Sequence, residues 1–380
     1  MTTGEARVEI DPAAIRHNLG CLVDALSGDS SPEICAVVKA DAYGHGIEHV
    51  LPLIVDAGIR SVGIASNAEA RRVRELGFSG RIIRVRAAAP AEVAGALGER
   101  VEEWVGGFAH AQVIAEIALQ HGVEIPVHLA INALGFSVSC VDLSLSAGRK
   151  ELAAMVALRG LDVRGVCAHF PSEAVADAQR GAARFADEAE EVLGVLGQER
   201  AADVQRHCAT SFAALTVAES RFDLVRIGAA LYGDSSAPAV WQRSALRLVA
   251  PITSVNLVPA GRRIGYVGGS VLDGDAIIAA VPVGYGDGLP RALGNGRGSV
   301  LVRGHRAPIV DRLSMNALAV DVTAIPGVRP GDDAVVFGRQ GAGEISGVEF
   351  ERNSGEIAAA SYSQWGRGIA RTVRSGAVGG

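Results

Sequence analysis

Residues 34–46 read ICAVVKADAYGHG, a short apolar run that ends in a lysine and continues into a glycine-containing turn. Such a run predicts a strand buried on both faces, as in a parallel sheet covered by helices. Similar runs follow at residues 60–65 (RSVGIA), 81–86 (RIIRVR), 101–106 (VEEWVG), 125–131 (IPVHLAI), 163–170 (VRGVCAHF), 203–209 (DVQRHCA) and 223–228 (DLVRIG). The sequence therefore contains eight strand candidates in a row.

Longer stretches separate these strand candidates, and apolar residues recur in them at spacings of three and four. Examples are NAEARRVRELG at residues 67–77 and the segment 172–197. That spacing predicts helices with one buried face. Eight strand–helix units favour a closed (β/α)8 barrel of the TIM type, within the α/β class. An open doubly wound sheet is the alternative, but it usually reaches an edge after fewer strands.

The pattern changes after residue 237. Residues 247–337 read as short strands punctuated by Gly, Pro and Asp, without a helix-length periodic segment. This predicts an all-β second domain, followed by one short helical stretch between residues 344 and 361 and a basic tail. The predicted domains are residues 1–237, the barrel, and residues 238–380, a β domain. The first residues, up to about residue 10, are candidates for pairing with the β domain.

Composition excludes several classes of protein. The chain has 380 residues, 49% of them hydrophobic, and a formal net charge of −6, which argues against nucleic-acid or anionic-membrane partners. Residues 1–11 lack a basic start followed by an apolar run, so we expect no signal peptide and a cytoplasmic location. The five cysteines are odd in number and have no CxxC spacing, which predicts small buried side chains and no metal site.

Active sites of (β/α)8 barrels form at the C-terminal ends of the strands. Lys39 stands at the first of these ends and is one of only two lysines among 36 lysine and arginine residues. Desolvation there would lower the lysine pKa, and a neutral amine can form an imine with an aldehyde. The alternative is a lysine whose stem packs while its head reaches water. We expect that exposed state for Lys150, within SAGRKELAAM.

The later strand ends add an imidazole, a guanidinium and a hydroxyl. Arg226 stays protonated and can bind an anion or form a structural ion pair inside the barrel. The turn at residues 228–233 can present N–H groups to a phosphate, with Ser211 as a helix N-cap, a phosphate ligand or both. His169 is an acid–base candidate, a ring that stacks on a flat cofactor, or a core residue. Asn132 follows the fifth strand.

Several motifs resemble the alanine racemase family over nearly the whole chain: AVVKADAYGHG (36–46), DLVRIGAALYG (223–233), IGYVGG (264–269), VPVGYGDG (281–288), GHRAPIVDRLSMNALAVDVT (304–323) and SYSQWG (361–366). The resemblance implies a pyridoxal-phosphate barrel with a C-terminal β domain and the interconversion of L- and D-amino acids. Ala130 and Asn132 stand where alanine racemases carry a lysine and an acid. They and Asn316 make the chain more similar to the broad-specificity amino-acid racemase branch.

The resemblance also implies roles for individual residues. Lys39 would hold pyridoxal 5′-phosphate as an imine and act as the base on one face of the substrate Cα. Tyr266 would be the base on the other face, contributed by the partner subunit of a homodimer. His169 would lie near the cofactor ring, and Arg226 would face the pyridine nitrogen. The phosphate would be bound by Tyr43, Ser211, Gly228, Ala229 and Tyr362, and the substrate by Asn132, Tyr285, Met315 and Asn316.

Racemisation explains why such residue types are needed. The reaction removes the Cα proton on one face and returns a proton on the other, so it requires two opposed acid–base groups. An arginine at the ring nitrogen does not readily give up its proton, which leaves the ring unprotonated and a weaker electron sink. Protonation at the wrong carbon, which leads to transamination, is thereby limited.

The chain departs from the family at three places. In NALGFSV (132–138), Val138 replaces an arginine that the broad-specificity pattern directs at the phenolic oxygen of the cofactor. Thr210 stands where the family usually has asparagine, and VGG follows Tyr266 in place of bulkier residues. Loss of a cation beside a phenolate would change its proton equilibrium. We therefore hypothesise that the two bases are kept while the substrate has shifted away from alanine.

Two other functions compete with racemisation. The first is another pyridoxal-phosphate reaction on the same scaffold, such as decarboxylation, β-elimination or aldol cleavage, supported by Val138 and Thr210. Retention of both Lys39 and Tyr266 counts against it, since decarboxylation needs no opposed bases. The second is a non-catalytic cofactor-binding protein, but single-domain relatives of that kind lack the β domain.

Overall fold

The computed structural model describes residues 5–28, 31–133, 139–170, 172–234, 236–237, 239–265 and 271–374. Contacts within the chain divide it into two compact units. One, called the barrel unit here, comprises residues 16–42 and 50–242. The other, the β unit, comprises residues 1–15, 43–49 and 243–380.

The barrel unit is built on parallel strands at the eight predicted positions. After β1 (Arg7–Ile10) of the β unit come β2 (Glu33–Val37), β3 (Ser61–Ile64), β4 (Arg81–Arg84), β5 (Val101–Val105), β6 (Ile125–Ala130), β7 (Leu161–Cys167), β8 (Gln205–His207) and β9 (Leu224–Ile227). They pair in the order β8-β7-β6-β5-β4-β3-β2-β9. Backbone hydrogen bonds from Asp223 to Arg206 (3.1 Å) and from Arg226 to Ala209 (3.0 Å) link β9 to β8. The predicted (β/α)8 barrel is confirmed.

Helices alternate with these strands, as the spacing of apolar residues predicts. They are α1 (Pro12–Leu26), α2 (Lys39–Tyr43), α3 (Ile47–Asp56), α4 (Asn67–Glu75), α5 (Pro90–Ala94), α6 (Phe108–His121), α7 (Ser146–Val156), α8 (Val175–Leu196), α9 (Gln198–Ala201) and α10 (Ser211–Thr216). In α8 the buried positions include Ala178, Ala182, Phe185 and Ala189, which recur every three or four residues along one face. No helix in the described ranges is long and apolar enough to cross a membrane.

The β unit is a mostly antiparallel sheet. Its further strands are β10 (Leu246–Pro251), β11 (Ser254–Val258), β12 (Ala276–Val281), β13 (Ser299–Val302), β14 (His305–Val310), β15 (Leu318–Asp321), β16 (Asp333–Gln340), β17 (Gly343–Ile345) and β18 (Ala370–Val373). The order is β11-β12-β15-β14-β13-β16-β10-β1-β18, with β17 beside β16. Strand β1 pairs antiparallel with β10 and parallel with β18. The expected all-β character is confirmed between residues 247 and 337.

The end of the chain differs from the prediction. Two helices, α11 (Gly347–Ser354) and α12 (Ala358–Gly368), replace the single helical stretch, and strand β18 replaces the basic tail. Helix α11 stops at Gly355, whose φ of +76° ends a helix at little cost to glycine. Strand β18 forms because its backbone pairs with β1, a partner more than 350 residues away along the chain. The local sequence shows that this segment is basic, but it does not show that the segment pairs with β1.

Candidate active site

Lys39 lies two residues after β2, the first barrel strand, and begins an unusual turn. Residues 40–43 all have φ between 53° and 55°, so α2 is a left-handed turn. Left-handed helix costs an L-residue roughly 1–2 kcal/mol, so such a run persists only where its surroundings stabilise it. Within the turn the Ala42 N–H donates to the Val38 carbonyl at 2.7 Å. The turn therefore begins at the lysine that the sequence singles out.

The surroundings of Lys39 favour its neutral amine. Burial lowers the Lys39 pKa, the positive charge of Arg226 lowers it further, and the negative charge of Glu69 opposes both. Glu69 is itself fixed, because its Oε2 accepts hydrogen bonds from the backbone of Ala65 (2.7 Å) and Ser66 (3.0 Å). A neutral amine is the form that attacks an aldehyde.

His169 follows strand β7 and shares the electrostatic surroundings of Lys39. Desolvation by the protein atoms around its ring, and then the charges of Arg226 and Lys39, lower the His169 pKa to about 4, although the residue is exposed to solvent over more than a third of its surface. The imidazole is therefore neutral at physiological pH and can both donate and accept a hydrogen bond. Lys39, His169 and Arg226 thus act on one another within the barrel unit.

Arg226, at the end of β9, is buried and held on two sides. Its Nη1 donates to His207 Nδ1 at 2.5 Å and to the His207 carbonyl at 3.1 Å. Its Nη2 donates to the carbonyls of Ala168 (2.6 Å) and Cys208 (3.3 Å), and the guanidinium lies 5.8 Å from the centre of the Trp104 ring. The fifth N–H, on Nε, makes no hydrogen bond to the described residues. A fixed cation with one remaining donor suits a neutral acceptor atom.

The turn after β9 and the start of α10 form one hydrogen-bonded unit. The Ser211 hydroxyl oxygen accepts from the N–H groups of Gly228 (3.1 Å) and Ala230 (3.3 Å). Its own proton remains to be donated, as does the Ala229 N–H, which has no partner among the described residues. The Gly228 N–H donates to Ser211 in this arrangement, and the expected role of Gly228 at a phosphate stays a prediction. Thr210 is the N-cap residue of α10 but makes no side-chain capping bond.

In the β unit, the segment that follows Lys39 packs tightly on α12. A Cβ added to Gly44 would lie 2.0 Å from the Tyr362 carbonyl oxygen, and one added to Gly366 would lie 2.3 Å from the Gly44 carbonyl oxygen. The ring of Tyr362 is buried and meets the ring of Phe337 at 5.1 Å. Tyr43 and Tyr362, both predicted to bind a phosphate, therefore belong to neighbouring segments of one unit.

The expected substrate residues of the β unit also lie together. The Tyr285 N–H donates to the Ser314 carbonyl at 3.1 Å, and the Asn316 amide donates to the Asp287 carboxylate at 3.2 Å. Met315 is exposed, and its N–H makes no hydrogen bond to the described residues. It therefore remains available for a carboxylate.

Of the remaining positions that the sequence analysis singled out, some lie within the described residues and others lie outside them. Asn132 follows β6, and its N–H donates to the Val141 carbonyl at 2.8 Å, while Ala130 is fully buried. Tyr266 and Val138 lie outside the described residues.

Sequence reasoning missed three buried polar residues inside the barrel: Glu102, His128 and His207. His128 interrupts the otherwise apolar strand β6, and this interruption is the signal that could have identified it. Glu102 lies beside a second glutamate in β5 and His207 ends the polar strand β8, so neither stands out in this way. Arg226 contacts His207 directly, so the group around the predicted arginine extends further into the barrel than the strand ends suggest.

We expect Gly44→Ala to destabilise the β unit by about 3 kcal/mol or more, because the new methyl group would collide with backbone and φ is +80°. Gly355→Ala is the matched control: its φ is +76°, but no atom of the described residues lies within 4 Å of the new Cβ. Left-handed strain alone should cost about 1 kcal/mol there. Urea unfolding of both variants measures the difference, and equal losses would show that the contact with Tyr362 is not tight.

We expect the free energy of unfolding to fall as the pH is lowered from about 6.5 towards 4. The pKa of His207 is well below 6.5 and that of His169 is about 4, both chiefly through desolvation. The unfolded chain therefore takes up protons in this window while the folded chain does not, which favours unfolding. Urea midpoints near pH 7.5 and near pH 5 test this. His169→Gln should reduce the loss, and constant stability across the window would contradict the expectation.

Comparisons with known proteins identify the family of this chain. Residues 10–236 match the family model for the alanine racemase N-terminal domain, and residues 245–373 match that for the C-terminal domain. A broad specificity amino-acid racemase of Aeromonas hydrophila subsp. hydrophila is 43% identical over 365 residues, which cover 96% of this chain and 89% of that protein. A lysine racemase of Proteus mirabilis is 36% identical over 94% of this chain and 87% of its own length.

Solved structures show the same fold. Alanine racemase from a D-cycloserine-producing Streptomyces lavendulae superposes with a TM-score of 0.88 at 28% identity, covering 99% of this chain and 98% of that one. Alanine racemase from Bartonella henselae, with covalently bound pyridoxal phosphate, has a TM-score of 0.84 at 22% identity over 97% and 99% of the two chains. The chain therefore belongs to the alanine racemase family of pyridoxal-phosphate-dependent amino-acid racemases.

Proposed function

We propose that this racemase acts on free amino acids through two opposed bases, Lys39 and Tyr266, with broad specificity or a preference for a substrate other than alanine. The observation that carries the proposal is the group formed by Lys39, His169 and Arg226. It combines an amine with a lowered pKa, a neutral imidazole and a fixed guanidinium with one remaining donor.

The donors of the barrel unit fit pyridoxal 5′-phosphate. The Lys39 amine suits its aldehyde, and the Arg226 Nε–H suits a neutral ring nitrogen. The Ser211 hydroxyl and the Ala229 N–H suit its phosphate, beside the Gly228 turn. When bound, the cofactor supplies an electron sink for the Cα carbanion. Tyr43 and Tyr362 are the proposed phosphate ligands from the β unit.

Each of the two bases carries out the proton transfer on one face of the substrate Cα. Lys39 takes or returns the proton on one face of Cα, and Tyr266 does so on the other. His169 is neutral above a pH of about 4, so it can hydrogen-bond the phenol without competing for its proton. Arg226 keeps the ring nitrogen unprotonated, because an arginine does not readily give up its proton.

The β unit offers three of the proposed substrate contacts. The Met315 N–H is the donor for the substrate carboxylate, with Tyr285 at the entrance and Asn316 held in place by Asp287. Asn132 is the contact from the barrel unit. The small buried Ala130, together with Thr210 and Val138, motivates the proposal of a substrate other than alanine.

We further propose a homodimer in the cytoplasm. A partner subunit that contributes Tyr266 would complete each site, as the family resemblance implies. All five cysteines are free thiols, which is usual for proteins in a reducing compartment. Sedimentation velocity of the purified protein tests the dimer.

Chiral chromatography of an amino-acid panel, in deuterated water with added cofactor, tests the proposed function. We expect D/L interconversion with one solvent deuterium at Cα and no loss of carboxylate, and faster turnover of larger substrates than of alanine. Efficient alanine racemisation without preference for larger substrates would contradict the proposed specificity. Decarboxylated or eliminated products would contradict the proposed reaction.

A further inference from the structure

A continuous line of buried hydrogen bonds runs from Arg226 into the interior of the barrel. Arg226 Nη1 lies 2.5 Å from His207 Nδ1, His207 Nε2 lies 2.7 Å from His128 Nδ1, and His128 Nε2 lies 2.7 Å from Glu102 Oε2. Both histidines are fully buried, and Glu102 and Arg226 are nearly so. We call these four residues the barrel chain. Arg81 holds its carboxylate end with two hydrogen bonds of 2.8 Å.

The two ends of the barrel chain determine where its protons lie. A guanidinium can only donate, so His207 Nδ1 must accept and His207 carries its proton on Nε2. That proton goes to His128 Nδ1, so His128 carries its own proton on Nε2 and donates to the Glu102 carboxylate. Every bond therefore points from Arg226 towards Glu102. Both imidazoles are neutral in this arrangement.

The charges at the two ends of the barrel chain stabilise the same direction of hydrogen bonding. Burial alone would raise the pKa of Glu102, but hydrogen bonds from Arg81 and His128 lower it to about 2, so the carboxylate stays ionised. Burial and the charge of Arg226 hold the His207 pKa well below its usual value. In a low-dielectric interior, an ionised acceptor polarises the hydrogen bonds that lead to it.

We propose that Glu102, His128 and His207 are positioning residues that fix the Arg226 guanidinium and, through it, keep the cofactor ring nitrogen unprotonated. This role rests on the proposed contact between Arg226 and that nitrogen. His207 Nδ1 accepts from Arg226 only while the barrel chain points towards Glu102. If the hydrogen bonds of the barrel chain reverse their direction, a His207 N–H faces the Arg226 N–H, and the guanidinium is displaced. Water can then reach and protonate the ring.

Glu102→Gln tests the direction of these hydrogen bonds, because an amide cannot accept hydrogen bonds from both Arg81 and His128 as the two carboxylate oxygens do. If its oxygen faces His128, its NH2 faces the donors of Arg81; if its NH2 faces His128, the chain reverses and Arg226 meets a donor. Glu33→Gln is the matched control. Glu33 accepts from the same Arg81 at 3.1 Å, but no bond joins it to His128.

A ring that becomes protonated is a stronger electron sink and favours transamination, in which the substrate leaves as its 2-keto acid and the cofactor keeps the amino group. We expect Glu102→Gln to raise the keto acid formed per racemisation event about tenfold, to change the absorbance spectrum of the bound cofactor, and to lower kcat more than it raises KM. Glu33→Gln should keep the keto-acid ratio and the kinetic constants within about twofold of the wild type, and should leave the absorbance spectrum of the bound cofactor unchanged.

Identical behaviour of the two variants, with an active wild type, would overturn the positioning role. A wild type that neither racemises amino acids nor retains borohydride-reducible cofactor would instead overturn the proposed function, and the role with it. The two failures are therefore distinguishable.

Two further measurements do not depend on the Glu102 variant folding. The first is nitrogen-15 NMR of the cofactor-free wild type labelled at histidine, with the His128 signals assigned by their loss in His128→Gln. We expect both His128 and His207 to be neutral and to carry their proton on Nε2. A proton on Nδ1 of either residue would refute the proposed direction of the barrel chain. Gly165→Ala places a methyl group 2.2 Å from His128 Nδ1 without removing a polar group. It should reproduce the keto-acid increase, and a normal ratio in a folded Gly165→Ala protein would also refute the proposal.

Discussion

Replacing Lys39 by alanine should abolish racemisation, lowering the rate by about 10⁴-fold or more, and should remove the borohydride-reducible absorbance of bound cofactor at the same time. Both losses follow from one amine, which is half-buried just after β2 with a lowered pKa and is proposed both to bind the cofactor and to act as a base. Absorbance spectra before and after borohydride, together with chiral chromatography, measure the two effects.

Lys150→Ala is the control, because Lys150 is the other lysine of the chain and lies exposed on α7. It should retain activity and cofactor at wild-type levels. A Lys39→Ala protein that keeps a borohydride-reducible adduct would show that the cofactor is attached elsewhere. A variant with cofactor but no activity, restored by added small amines, would separate the role in catalysis from that in binding.

The second large effect is expected from Tyr266→Phe, which removes the proposed base on the other face and should slow racemisation by about 10³-fold while leaving the cofactor bound. Mixing this variant with Lys39→Ala under exchange conditions should restore activity. In a heterodimer with Tyr266 contributed by the partner, one of the two sites has both bases. Random pairing then gives about one quarter of the wild-type sites.

The mixture distinguishes two arrangements of the site. If Lys39 and Tyr266 act within one chain, no heterodimer has a complete site, and activity stays at the level of the single variants. Each variant incubated alone under the same conditions is the control. Activity in the Tyr266→Phe protein close to the wild type would contradict the two-base proposal itself.

The positions of the barrel strands could be predicted from sequence because the physical signal is local. A strand covered on both faces needs a continuous apolar run, as in ICAVVK, and a covering helix needs an apolar residue every three or four positions, as in α8. Lys39 stood out because it ends such a run and is one of only two lysines in the chain. Strand β18 could not be found in this way, because its stability comes from pairing with β1.

The sequence alone determined the α/β barrel, the all-β region and the amine, guanidinium and imidazole candidates at the strand ends. The tertiary structure decided which atoms of those groups form hydrogen bonds within the described residues: there Arg226 leaves its Nε–H without a partner, and the Gly228 N–H donates to Ser211. It also joined Glu102, His128 and His207, which lie on three different strands, into one line behind Arg226. Periodicity reports which face of an element is buried, whereas hydrogen-bond direction depends on distances between side chains far apart in the chain.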